Sequence, residues 1–285
     1  MQLKNNPPCH SNPAFDGKKN LNNLIYKLNL KMEQKFKSLR RFNLFMAFLH
    51  FAQGIAMLIL SNNFSLPVMS SYLKFNPATQ GLIPDPQTLF NLQIGPMVAI
   101  FLFLSAFFHL LIALPYFNDI YNKNLARGIN FYRWVEYAFS SSIMIVIIAM
   151  LVGIYDIASL IIIFGLNAMM ILFGWMMELH NQSTDKVNWT SFYFGCIAGI
   201  IPWVVIALYL FGAGGGENKA PDFVYWIYFS IFVFFNSFAI NQVLQYKKTG
   251  KWNDYLFGEK VYIILSLVAK SLLAWQVFAG TLRPN

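Results

Sequence analysis

Apolar residues fall into seven long runs along this chain, at about 42–61, 93–116, 130–153, 156–178, 190–211, 223–246 and 259–282. Each is near the ~20 residues that a helix needs to cross a bilayer. The pattern predicts an all-α membrane protein, a bundle of seven transmembrane helices. A tight turn around Tyr155 and Asp156 separates the third and fourth runs. The connection over 62–92 is the long one, with Pro67, Pro77, Pro84 and Pro86. Val68 to Leu73 within it reads as a short strand, and a loop of this length is expected to pack on the bundle as a lid or interface. Residues 1–36 form a polar, basic tail, and 37–285 form the membrane domain. Residues 1–22 are expected to be disordered. Residues 23–41 are expected to lie at the membrane surface as a basic amphipathic helix or to remain a solvated tail.

Composition agrees with the pattern. Hydrophobic residues make up 57% of the chain and charged residues 12%, about half the charged share of a soluble protein. The first forty residues hold no apolar core, so no cleaved signal peptide is expected. Cys9 and Cys196 make neither a disulfide framework nor a metal cluster. No internal repeat is visible.

The net charge of +9 changes meaning once the spans are placed. Lys and Arg on the side of the N-terminus number 17, against Lys74, Lys219 and Arg283 on the other side. Basic loops stay in the cytoplasm. This puts the N-terminus inside and, after seven spans, the C-terminus outside. The charge is then a topological signal rather than a nucleic-acid footprint. A receptor coupled to G proteins has the reverse orientation. Asn63-Phe64-Ser65 is a glycosylation pattern on the outer side, relevant only to a eukaryotic secretory route.

Lys270 sits near the middle of the seventh run. An ionisable group there is costly and marks a functional site by default. A lysine in a dry pocket condenses with aldehydes; the bland alternative, a snorkelling lysine, suits helix ends better than centres. His50 lies eight residues into the first span, or ~12 Å at 1.5 Å per residue, and His109 lies ~10 Å from the end of the second. Glu136 is ~12 Å into the third, and the Lys270 Cα is ~16 Å into the seventh. Because helical side chains lean toward the N-terminus, the Lys270 amine is expected at the level of Glu136, His50 and His109. Glu136 reads as the only carboxylate well inside a span, while Asp156, Glu178, Asp222 and Glu259 read as edge residues. A buried cation needs a counter-charge, which Glu136 can supply unless it pairs with Arg133. The histidines are either transient proton holders or hydrogen-bonded core residues. Gln53, Ser105 and Ser266 stand one turn from His50, His109 and Lys270 and can join them.

An aldehyde ligand needs an apolar, aromatic slot. The candidates are Trp134, Tyr137, Met144, Asn167, Met170, Trp203, Phe234, Phe235 and Trp275, any of which can instead be ordinary packing.

The seventh run, SLVAKSLLAWQVFAGT over Ser266–Thr281, resembles the lysine-bearing helix of heliorhodopsins. RWVEYAFSSS over Arg133–Ser142 resembles their third helix. FGLNAMMILFGW over Phe164–Trp175 and FGCIAGIIPW over Phe194–Trp203 resemble the fourth and fifth, and FFNSFA over Phe234–Ala239 with Gln245-Tyr246-Lys247 the sixth. The similarity runs from about Phe42 to Pro284. It implies all-trans-retinal on Lys270 as a protonated Schiff base, with Glu136 as counterion. It implies His50 and His109 as the paired histidines of an internal polar cavity. It also implies the inverted orientation and a homodimer through the fourth and fifth helices and the long loop. Light would isomerise the retinal to 13-cis and produce a long-lived signalling state, read by an unidentified cytoplasmic partner.

Other residues speak against pumping. Light-driven pumps carry further acids, one of them four residues before the lysine, where this chain has Ser266. Beyond Glu136 the third span offers only Ser140, Ser141 and Ser142. A light-gated proton or cation conductance on the same scaffold is the alternative. A seven-span metal hydrolase is a distant third, because zinc needs three ligands plus water and an amine stands beside the only such set. Neither an enzyme nor a resident metal is expected.

Overall fold

The structure is a computed structural model that describes residues 13–212 and 219–283, with side chains described from residue 23 onward. Met1–Phe42 and Asn43–Asn285 form two compact units. Among the described residues, seven helices are long and apolar enough to cross a membrane. They are α1 (Pro13–Leu60), α2 (Ile94–Leu111), α4 (Phe131–Leu151), α5 (Ile157–His180), α6 (Thr190–Gly212), α7 (Asp222–Tyr246) and α8 (Tyr255–Val277), the last continued by a π turn, Phe278–Leu282. A shorter helix, α3 (Pro115–Ala126), lies between α2 and α4.

The helix ends follow local chemistry. Asn130 caps α4 by accepting from the Arg133 amide at 3.1 Å, Asp156 caps α5 through Ser159 at 2.9 Å, and Asp254 caps α8 through Leu256 at 3.1 Å. Each side chain satisfies an amide that the helix cannot. The second span ends at Leu111, five residues short of the predicted boundary, because Pro115 takes the first position of α3, where its missing N–H costs nothing. Gly153 makes the turn after α4 at φ +95°, a conformation that side chains with a Cβ disfavour.

The expected strand at Val68–Leu73 is half of a larger hairpin. Strand β1 (Ser65–Asn76) pairs antiparallel with β2 (Gly81–Gln93), with Tyr72 opposite Asp85 and Leu73 opposite Pro84. Pro84 and Pro86 survive because each strand of a two-stranded sheet has one unpaired edge. The hairpin is pinned at its base, where the Met69 amide donates to the Tyr155 carbonyl at 2.8 Å and Val68 enters the core.

The first unit contains the N-terminal part of α1. Of the disorder expected over 1–22, residues 1–12 fall outside the described residues, whereas 13–22 are helical. In this unit Leu24, Ile25 and Leu28 are exposed among lysines.

In the second unit α4 is the most buried span. Its Ile145 and Ile148 pack with Phe101 of α2 and Leu273 and Val277 of α8. Burial in lipid brings little hydrophobic gain between helices, so close packing matters more. At Gly54 an added Cβ would stand 2.6 Å from the Phe103 ring.

Candidate functional site: a buried lysine at the end of an apolar cavity

Four helices bring one polar layer together. Lys270 Nζ on α8 donates to Glu136 Oε1 on α4 at 2.7 Å and to Ser266 Oγ at 2.8 Å. Ser105 Oγ on α2 donates to the same Glu136 oxygen at 2.7 Å. Lys270 is 3% exposed and Glu136 4%, so each charge depends on the other. The rings of His50 (α1) and His109 (α2) stack with centroids 5.6 Å apart and planes 8° apart. His109 Nδ1 is 2.8 Å from Asn43 Oδ1, whereas neither ring nitrogen of the buried His50 has a hydrogen-bond partner among the described residues.

On its other side Lys270 opens into a cavity of about 350 Å³ between α4, α5, α6, α7 and α8. Trp134, Tyr137, Met144, Met170, Trp203 and Phe235 all line it, as the sequence suggested. Tyr262, Phe232 and Phe238 line it as well, and sequence reasoning missed them. Two glycines shape the walls. A Cβ on Gly174 would stand 2.5 Å from the Trp134 ring, and one on Gly199 would overlap the Met170 sulfur.

Other expected site residues lie elsewhere. Trp275 is 39% exposed and donates to Gln53 Oε1 at 3.2 Å. Five residues past Lys270 is about 140° around a helix, which turns Trp275 away from the cavity and draws Gln53 with it. Asn167 is buried but stands behind the wall, donating to Ser141 Oγ at 2.8 Å and Ser142 Oγ at 3.0 Å. Phe234 does not line the cavity.

The larger surprise concerns carboxylates expected at span edges. Glu178 is 1% exposed and Glu259 2%. Both bind Arg133, whose Nη2 is 2.5 Å from Glu178 Oε1 and whose Nη1 contacts Glu259 Oε2. Arg133 therefore does not pair with Glu136. The signal was faint: a carboxylate at a span edge looks solvated until α3 and the α4 cap cover it. Tyr121 of α3 donates to Glu259 Oε1 at 3.0 Å, and Asn130 Nδ2 to the same oxygen at 2.7 Å. Burial and the Glu259 charge push the Tyr121 phenol well above its ordinary value, which keeps it a donor. Among the described residues no group of three or more His, Cys, Asp and Glu side chains is placed to hold a metal.

A seven-span bundle with a buried lysine–carboxylate pair at the head of an aromatic cavity defines the rhodopsin class of membrane protein. The heliorhodopsin family model matches residues 39–282, and the chain belongs to that family. It is accordingly a multi-pass membrane protein of a retinal-binding, light-sensing photoreceptor family rather than of an enzyme family. A search of curated proteins finds no match. The site suits retinal: a buried primary amine stands where apolar walls end, and glycines leave room where a Cβ would intrude.

Proposed function

We propose that retinal is joined to Lys270 Nζ in this cavity, that Glu136 is the counter-charge, and that the output is a change of conformation without active pumping. The observation that carries this is the Lys270 amine, bonded to Glu136 at 2.7 Å while it lines the apolar cavity. Bound retinal supplies absorption of visible light and a change of shape on isomerisation, from all-trans to 13-cis in this reading.

The chain's own residues do the rest. Glu136 holds positive charge at Nζ, because an isolated buried ion would neutralise. Ser105 fixes the Glu136 oxygen and Ser266 fixes the amine. His50 and His109 are the groups able to hold a proton within the closed interior. Trp134, Tyr137, Met144, Met170, Trp203 and Phe235 shape the slot and exclude water. Glu136 is the one acid on α4, and Asn167 ties up the hydroxyls of Ser141 and Ser142 further along it, which disfavours pumping. Gln53 and Trp275 stabilise each other outside the slot.

The charge asymmetry supports a cytoplasmic N-terminus and an extracellular C-terminus. The basic tail 1–36 and the connections on that side are the surfaces open to a signalling partner. The hairpin exposes Leu73, Phe75 and Leu82 on one face, an apolar surface that supports a homodimer built on the hairpin, α5 and α6.

Purified protein supplied with all-trans-retinal should acquire a visible absorption band. Lys270→Ala or hydroxylamine should abolish it; folded wild-type protein without a band would overturn the reading. A passive light-gated proton conductance is the second reading, favoured by the polar layer of Asn43, His50 and His109 beside the Lys270–Glu136 pair.

A further inference from the structure

The cluster around Arg133 has no role in the reading above, yet it is the most densely bonded polar feature of the second unit. Glu178 accepts from four donors: Arg133 Nη2 at 2.5 Å, Tyr255 Oη at 2.9 Å, the Asn130 amide at 2.9 Å and Trp134 Nε1 at 2.6 Å. Glu259 accepts from Arg133, Asn130 and Tyr121. One arginine against two carboxylates leaves a formal charge of −1 in a buried place. It persists only because neutral donors share it, since each missing partner of a buried charge is costly. The donors come from α3, the cap of α4, α4 itself and α8, while the acceptors come from α5 and α8. The cluster therefore ties four helices together at the end where α4 and α8 begin.

One of its members, Trp134, and one residue packed against it, Tyr262, also line the cavity. Trp134 donates its indole N–H to Glu178 while its ring forms cavity wall. The ring is seated on Gly174, one turn before Glu178 on the same helix. Tyr262 lines the cavity too, and the Arg133 guanidinium lies 4.1 Å from its ring centroid. On α8, Glu259, Tyr262, Ser266 and Lys270 follow at spacings of three, four and four, so they share one face from cluster to amine.

We propose that Arg133, Glu178 and Glu259 form a latch that holds this end of the bundle closed, and that Trp134 is the positioning residue through which a change of cavity shape releases it. The indole cannot shift within the cavity and keep a 2.6 Å bond to Glu178. Packed interfaces respond to such a shift by switching between arrangements rather than by deforming smoothly. Tyr255 provides the comparison. It gives Glu178 an equivalent bond at 2.9 Å but does not line the cavity. Losing it weakens the latch and leaves the trigger intact.

The proposal rests on retinal occupying the cavity, and the test separates the two. Amide hydrogen exchange is followed over 127–136 and 251–262 in the full-length protein with retinal added, in the dark and under illumination, for wild type, Trp134→Phe and Tyr255→Phe. Wild type should exchange about tenfold faster at these segments in the light. Tyr255→Phe should raise exchange in the dark by about tenfold and keep a light response. Trp134→Phe, compared with wild type at equal chromophore content whatever the position of its band, should lose most of the light–dark difference. Gly174→Ala, which crowds the indole, is the second variant if Trp134→Phe does not fold, with the same loss expected. A wild-type band with no light-dependent exchange, or a full light response in Trp134→Phe or Gly174→Ala, overturns the latch. Absence of any visible band in wild type overturns the retinal reading instead.

Discussion

Arg133 and Glu136 stand one turn apart on α4 and do not pair. Arg133 reaches Glu259 and Glu178, whereas Glu136 reaches Lys270. The two ion pairs that join α4 to α8 therefore have opposite polarity: α4 gives the cation near its start and the anion one turn later, and α8 gives the anion first and the cation last. A one-turn slip that brought Glu259 level with Glu136 would set two carboxylates against each other, so the arrangement disfavours that register.

Replacing Glu136 with Gln should shift the visible band to the red, because the ground state loses the charge that stabilises it most. Absorption spectra of both proteins with retinal check this. An unchanged band would hand the counter-charge to another group.

Arg133→Ala should be much the more damaging change for stability. It strands Glu178 and Glu259 together, and breaking a buried pair from one side costs about 3–5 kcal/mol. Arg133→Lys should recover only part of that, since an ammonium cannot bridge two carboxylates with a planar fork. Thermal denaturation in detergent, followed by loss of helical signal, is the measurement; equal stability of Arg133→Ala and wild type would refute it.

Gly199→Leu should fill the cavity where Met170 crosses α6. Because Met170 is flexible and can yield partly, the fold should persist while the amount of chromophore formed per folded protein falls about tenfold, the change that 1.4 kcal/mol makes. Retinal titration of the folded variant gives the ratio, and undiminished uptake would place the ligand elsewhere.

Under voltage clamp, illumination should produce no sustained current in wild type. Currents that reverse with the driving force would establish the conductance instead, and His109→Ala should then reduce them.

The double change Leu73→Lys and Leu82→Lys should dissociate the homodimer while leaving the visible band in place, because both side chains are more than 60% exposed on the hairpin. Light scattering of the detergent-solubilised protein checks this, and an unchanged mass would move the interface elsewhere.

Much of this protein is dictated by one-dimensional regularities. Seven apolar runs near bilayer length, the imbalance of basic residues and a lysine in mid-span are readable because the membrane restricts what a segment can be. The meeting of Lys270 with Glu136, Ser105 and Ser266 was legible for the same reason: depth in a helix is proportional to residue number. Rotation around the axis and cover from neighbouring elements do not follow from depth. That is why Trp275 and Gln53 turn away from the cavity, and why Tyr262 and Phe238 line it unannounced. That Pro84 and Pro86 sit within a strand does not follow from the sequence, because pairing with β1 depends on which edge of the strand each residue turns outward. Glu178 and Glu259 read as span-edge acids because their helices end there. Only the tertiary structure buries them, by laying α3 and the Asn130 cap across the ends of α5 and α8. A charge's environment is set by what is folded over it, and its position along the chain carries no record of that.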